Sequence, residues 1–215
     1  DIAEREGSTE FTGYTSEEGE GVVVALVRDG QEIATAASGD SVTLLTNQTP
    51  FYGESGGQMG DAGKLSGSDG FAAVVTDTRK PLGRLHAHQI EIRSGSVSVG
   101  DSIHLVVDKA RRDTLRANHS ATHLLHKALR HHLGDHVTQK GSLVAPDRLR
   151  FDFSHPTVLT DAEIKAVEAD VNAQIRGNSP VTTRLMSPDE AVAAGALALF
   201  GEKYGEEVRV LSMGR

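Results

Sequence analysis

The sequence predicts an α+β fold in two parts, a small β-barrel-like subdomain over residues 1–107 and a helix-on-sheet subdomain over residues 108–215. β-branched runs of strand length recur at short intervals through the first half. A helical pattern begins abruptly at Asp108, and capped helices then alternate with strands to the end.

The runs Gly21–Val27, Glu32–Ala36 and Ser41–Leu45 are each bounded by turn residues, with Asp29-Gly30 as a hairpin signal between the first two. Phe71–Asp77, Leu85–Ile92 and Ile103–Val107 continue the series without helical periodicity, which suits a small barrel or a strongly curled sheet. Asp108 is a good N-cap for a helix over Lys109–Leu133, whose apolar positions include Leu115, Leu125 and Leu129 and which Gly134 stops. A strand pair is expected around Val137–Val144 and Arg148–Phe153. Thr160-Asp161-Ala162-Glu163 forms a capping box, with Leu159 placed to staple onto Ile164. The stripe Ile164, Val167, Val171 and Ile175 follows at helical spacing until Gly177. Ser187-Pro188-Asp189-Glu190 repeats the capping logic, and Glu207–Leu211 reads as a last strand.

At 215 residues, with 38% hydrophobic and 24% charged side chains, the chain has the composition of a globular protein able to bury a full core. No apolar run approaches the roughly 20 residues of a membrane span. The absence of cysteine excludes a disulfide scaffold and suits the cytoplasm. The acidic start, with Asp1 where an initiator Met would stand, lacks a signal peptide's features and suggests a piece of a longer protein. A net charge of −8 argues against broad attraction to nucleic acid. Locally the sign reverses: Lys109, Arg111, Arg112, Arg116, Lys127 and Arg130 are opposed only by Asp113, so the helix carries either a basic face for phosphates or an ordinary solvated one.

His119-Ser-Ala-Thr-His123 places two imidazoles on one helix face, where they can share a metal ion. Ser120 stands where a zinc protease of the His-Glu-x-x-His type would carry its general base, which disfavours peptide hydrolysis. Further ligand candidates are His126, His131, His132, His136 and His155, although ten histidines also make a chance pair easy. The segment Phe51–Asp61 concentrates glycine beside polar groups. Gly56 and Gly57 allow a ligand close to backbone N–H groups, and Ser55 and Gln58 add hydrogen-bonding side chains; a tight turn gives the same composition. Gln139 offers a neutral amide that can donate to and accept from an amino acid or ester. Ser120 and Thr122 have no activating partner and read as surface or packing residues.

Together these segments resemble the editing region of alanyl-tRNA synthetase over nearly the whole chain. Phe51–Asp61 is similar to the family's glycine-rich loop, Asn118–His126 to its metal helix, and Val137–Val144 to the segment bearing its editing-site glutamine, here Gln139. Arg150–His155 and Ala198–Gly205 are similar again. The resemblance implies hydrolysis of serine or glycine wrongly esterified to tRNA(Ala), with zinc held by His119 and His123 plus a Cys-x-x-x-His pair that would fall beyond Arg215. It implies as partners the tRNA(Ala) acceptor end, met by Lys109, Arg111, Arg112 and Arg116, and the remaining domains of a parent ligase that uses ATP. The rivals are a free-standing editing hydrolase and a metal-free module that only holds the tRNA end.

Overall fold

The structure, a computed structural model, describes residues 2–196 and 205–213. In chain order the first half contains α1 (Ile2–Glu6), β1 (Glu10–Phe11), β2 (Glu18–Arg28), β3 (Gln31–Ile33), β4 (Thr35–Ala37), β5 (Ser41–Thr46) and β6 (Gln48–Thr49). It continues with β7 (Gly63–Gly67), β8 (Ala72–Arg79), β9 (Ala87–Ser94), β10 (Ser96–Ser98) and β11 (Ser102–Val107). The second half contains α2 (Lys109–Leu133), β12 (Gln139–Val144), β13 (Leu149–Phe153), α3 (Asp161–Gly177), β14 (Val181–Met186), α4 (Pro188–Ala193) and β15 (Val208–Met213).

Six strands close into an antiparallel barrel in the order β11-β7-β8-β9-β5-β2, with β2 pairing back onto β11 and β3 extending β2. Closure removes the open edges that a sheet of this size would otherwise expose. Register shifts between Val23 and Ala25 on β2, and at two places between β8 and β9, supply the local bends that curvature needs. The first shift also lets Val23 and Leu26, three residues apart, both face the interior. Leu26 enters the interior with Leu44, Phe51, Val75, Ile90 and Leu105, whereas Ala25 packs outside with Ala3, Leu45 and Leu85.

Asp29 and Gly30 take φ of 50° and 79° and make the two-residue turn between β2 and β3. The run expected over Glu32–Ala36 is two short strands rather than one: β3 stays with β2, and β4 pairs with β10. β7 has no counterpart in the sequence reading, because Gly63 and Gly67 bracket it and strand interiors rarely carry glycine. Gly63 is required there, since a Cβ would lie 2.2 Å from the Val106 carbonyl oxygen.

The chain divides into two compact units, residues 1–122 with 141–150, and residues 123–140 with 151–215. The boundary thus falls within α2 and not at its start. In the second unit Ala128, Leu129, Val137 and Val167 form a core lined by Leu125, Phe151, Phe153, Leu159 and Val171. Both capping boxes form, Thr160 with Glu163 and Ser187 with Glu190. One expectation for α3 is corrected. Ile164 and Ile175 are 41% and 51% exposed, so only Val167 and Val171 of the stripe meet the core, which Leu159 joins directly. The helix ends at Gly177 as expected, with Asn178 as the left-handed C-cap at φ 43°, ψ 46°. β14 and β15 pair as an antiparallel ribbon. Residues 198–204 of the Ala198–Gly205 resemblance lie outside the described residues. Among the described residues no helix is long and apolar enough to cross a membrane.

Candidate functional site

The glycine-rich loop is a two-residue turn whose tip is joined to β12. Gly56 and Gly57 adopt φ of 59° and 82°, a geometry that side chains resist. Gln58 N–H donates to the Ser55 carbonyl (3.0 Å), and Ser55 N–H donates back to that of Gln58 (3.3 Å). Val144 N–H then donates to the Gly57 carbonyl (2.8 Å) and Met59 N–H to the Val144 carbonyl (3.0 Å). Gly57 also permits the close approach of β12, because a Cβ there would sit 2.5 Å from the Ser142 carbonyl oxygen. The backbone N–H groups of Ser55 and Gln58 are therefore used within the turn. Ser55 and Gly56 remain exposed.

The loop's base is fixed by a buried ion pair. Asp61 Oδ2 accepts from Tyr52 N–H (2.7 Å) and from Nε and Nη2 of Arg112, and Arg112 also donates to the carbonyls of Pro50 and Gly13. Arg112 is only 5% exposed. The expectation that it presents charge to a phosphate is corrected: turning it outward would strand the Asp61 carboxylate without its counter-ion.

Asp108 caps α2, its Oδ1 accepting from Arg111 N–H at 3.0 Å. One turn before His123, Asn118 donates through Nδ2 to the carbonyls of Ala145 (2.7 Å) and Pro146 (3.3 Å), which ties the β12–β13 turn to the helix. Thr122 is buried and donates its hydroxyl to the Asn118 carbonyl, a packing role.

His119 is where the two motifs meet. Gln58, 7% exposed, places Oε1 2.6 Å from Nδ1 of His119. An amide oxygen only accepts, so Nδ1 of His119 is the donor in this hydrogen bond. His123 follows four residues later on the same uninterrupted helix. Its pKa is lowered by partial desolvation, although the residue as a whole is exposed to solvent. His126 is lowered as well, first by burial, against an opposing hydrogen bond with the Val137 backbone, and its Nε2 is buried without a hydrogen-bond partner.

The basic face is smaller than its charge count. Lys109 is held by Asp113 (3.1 Å) and Glu17 (3.2 Å), and Arg111 donates to the Gly60 carbonyl (3.1 Å). Arg116 is exposed and, with Lys109, Glu17, Gly13 and Tyr14, lines an open crevice of ≈ 430 Å³. Gln139 opens β12, half-buried, and belongs to the second unit. Sequence reasoning missed the positioning pair Asn118 and Asp61. A lone Asp between the small residues Gly60 and Ala62 was the available signal for the latter.

The family model for tRNA synthetases class II (A) matches residues 1–111, just over half of the chain. The chain is 70% identical to the alanine–tRNA ligase of Sphingopyxis alaskensis and 68% identical to that of Rhizorhabdus wittichii, in each case over 215 residues, all of this chain and 24% of the relative. It is 59% identical over 214 residues to the alanine–tRNA ligase of Parvibaculum lavamentivorans, again 24% of that protein. The chain therefore spans about a quarter of the length of these relatives. With a barrel covered by the family model and a whole-length likeness to these ligases, the chain belongs to the class II (A) tRNA synthetase family.

Proposed function

We propose that the chain is the editing part of a cytoplasmic alanine–tRNA ligase, hydrolysing the ester that links serine or glycine to mischarged tRNA(Ala). The parent enzyme would join alanine to tRNA(Ala) with ATP. The observation that carries the reading is the Gln58–His119 hydrogen bond, which joins the glycine-rich loop to the histidine helix. The two motifs on which the editing resemblance rests thus meet at His119.

Editing is needed because an added hydroxyl or one missing methyl changes binding in a small apolar pocket by only about 1–3 kcal/mol. A second site that hydrogen-bonds the serine hydroxyl rejects alanine, whose methyl would leave buried polar groups unpaired. In the reaction, water oxygen bonds to the ester carbonyl carbon, and the bond to the terminal ribose oxygen breaks. That oxygen takes a proton, giving serine and free tRNA(Ala).

His119 and His123 would hold zinc, which when bound supplies Lewis-acid polarisation or water activation. Gln58, hydrogen-bonded to Nδ1, would orient the His119 ring so that Nε2 is the atom offered to the metal. The exposed Ser55 and Gly56 would receive the aminoacyl group, with Gly57 holding their turn in place. Gln139 would orient the ester or amine through its amide. Arg116 and Lys109, with Arg111 beside them, would meet acceptor-end phosphates at the crevice, where the exposed Tyr14 offers a ring for an unstacked base.

The test is release of serine from Ser-tRNA(Ala) by the full-length protein containing this chain. Hydrolysis that spares Ala-tRNA(Ala) is expected. Binding of tRNA without release of serine would favour a binding module.

A further inference from the structure

A second cluster of metal donors lies away from the histidine pair, within the second unit. His131 and His132 end α2, and Asp170 lies on α3. Adjacent residues on a helix normally diverge by about 100°. Here both rings nonetheless converge on one oxygen: Asp170 Oδ2 lies 3.1 Å from His131 Nδ1 and 3.3 Å from His132 Nε2, and all three donor atoms lie within 4.8 Å of one another. A tetrahedral zinc with bonds of about 2.1 Å separates its ligand atoms by about 3.4 Å. The two nitrogen–oxygen separations already approach that edge length.

The rest of the arrangement supports coordination. Gln174 approaches Asp170 Oδ1 with Nε2 at 3.5 Å, which directs the other oxygen toward the rings. His132 and Asp170 have side chains only 28% and 24% exposed, while His131, at 69%, faces solvent and leaves an open approach. A plain His–Asp ion pair needs one imidazole; two directed at a single oxygen is the pattern of a two-histidine, one-carboxylate ligand set with solvent completing the sphere.

We propose that His131, His132 and Asp170 form a second divalent transition-metal site, for zinc or a similar nitrogen-preferring ion, which clips the C-terminal end of α2 to α3. The site is independent of the editing reading, since it shares no residue with His119 and His123.

The test uses untagged full-length protein carrying His119→Ala and His123→Ala, so that the first pair contributes nothing. Zinc is titrated calorimetrically, and Co²⁺ is followed by its visible absorption. One metal per chain in the micromolar range or tighter is expected, weakened about tenfold or more by Asp170→Asn and by His131→Ala. Bound metal should also raise the melting temperature, and Asp170→Asn should remove that rise. No binding up to 0.1 mM zinc, or binding that Asp170→Asn leaves unchanged, would overturn the proposal. The second outcome would direct attention to His136 and His155, whose nitrogens lie 2.8 Å apart.

Discussion

Gln58 Oε1 and His119 Nδ1 lie 2.6 Å apart, one on the glycine-rich loop and the other on the long helix. The contact ties the orientation of a candidate ligand to the conformation of a loop 61 residues away in sequence. Outer partners of metal-bound histidines typically change affinity by about 10–100-fold when removed. Gln58→Ala should therefore weaken zinc retention of the full-length protein by at least about tenfold. Equilibrium dialysis checks this, and unchanged retention would reduce Gln58 to a packing residue.

Arg112 and Asp61 predict a stability effect where a phosphate contact would predict an affinity effect. Arg112→Met leaves the buried Asp61 carboxylate unpaired, and breaking one partner of such a pair costs about 3–5 kcal/mol. Urea denaturation should show that loss, with part of it recovered by adding Asp61→Asn. A variant of wild-type stability that binds tRNA poorly would instead place Arg112 in the RNA interface.

His88 makes the barrel sensitive to acid. It is fully buried, with Nδ1–H donating to the Leu44 carbonyl (2.9 Å) and Nε2 paired with the Thr49 hydroxyl (2.8 Å), which itself accepts from Phe51 N–H. Burial pushes its pKa down to about 4, and burial first, with Lys80 and His88 next, does the same for His86. Below about pH 6.5 the unfolded chain takes up protons that the folded barrel refuses, so stability is full above that value and falls toward pH 4. For His88 alone the loss at pH 4 is about 3 kcal/mol. Denaturation across this range should show the decline, and His88→Gln should flatten part of it.

Gly57→Ala tests the loop without touching a polar side chain. At φ 82° the new Cβ is strained and would meet the Ser142 carbonyl oxygen at 2.5 Å, so the loop must leave β12. Editing should fall at least about tenfold while the barrel's near-ultraviolet spectrum persists, because a misplacement of about 1 Å can cost 100-fold in rate. Full activity would remove the turn from the site.

How much of this was legible in sequence follows from which forces are local. The helix over Lys109–Leu133 was readable because Asp108 caps it, Gly134 ends it, and both act within a few residues. The Asp29-Gly30 turn and both capping boxes were readable for the same reason. β7 was not, since Gly63 answers to the Val106 backbone of the neighbouring strand β11, distant in sequence. Composition marked Arg112 as a charge without revealing the inward direction that Asp61 imposes. Likewise Gln58 and His119 each stand out in the sequence as candidates, yet their partnership is a tertiary fact.

Single-turnover release of serine from Ser-tRNA(Ala), compared between the full-length protein and its His123→Ala variant, tests the editing account most directly. The account predicts hydrolysis well above the spontaneous rate in the parent, with Ala-tRNA(Ala) spared, and a loss of about 100-fold or more in the variant with tRNA binding retained. Equal rates in the two proteins, or release no faster than in buffer, would contradict it.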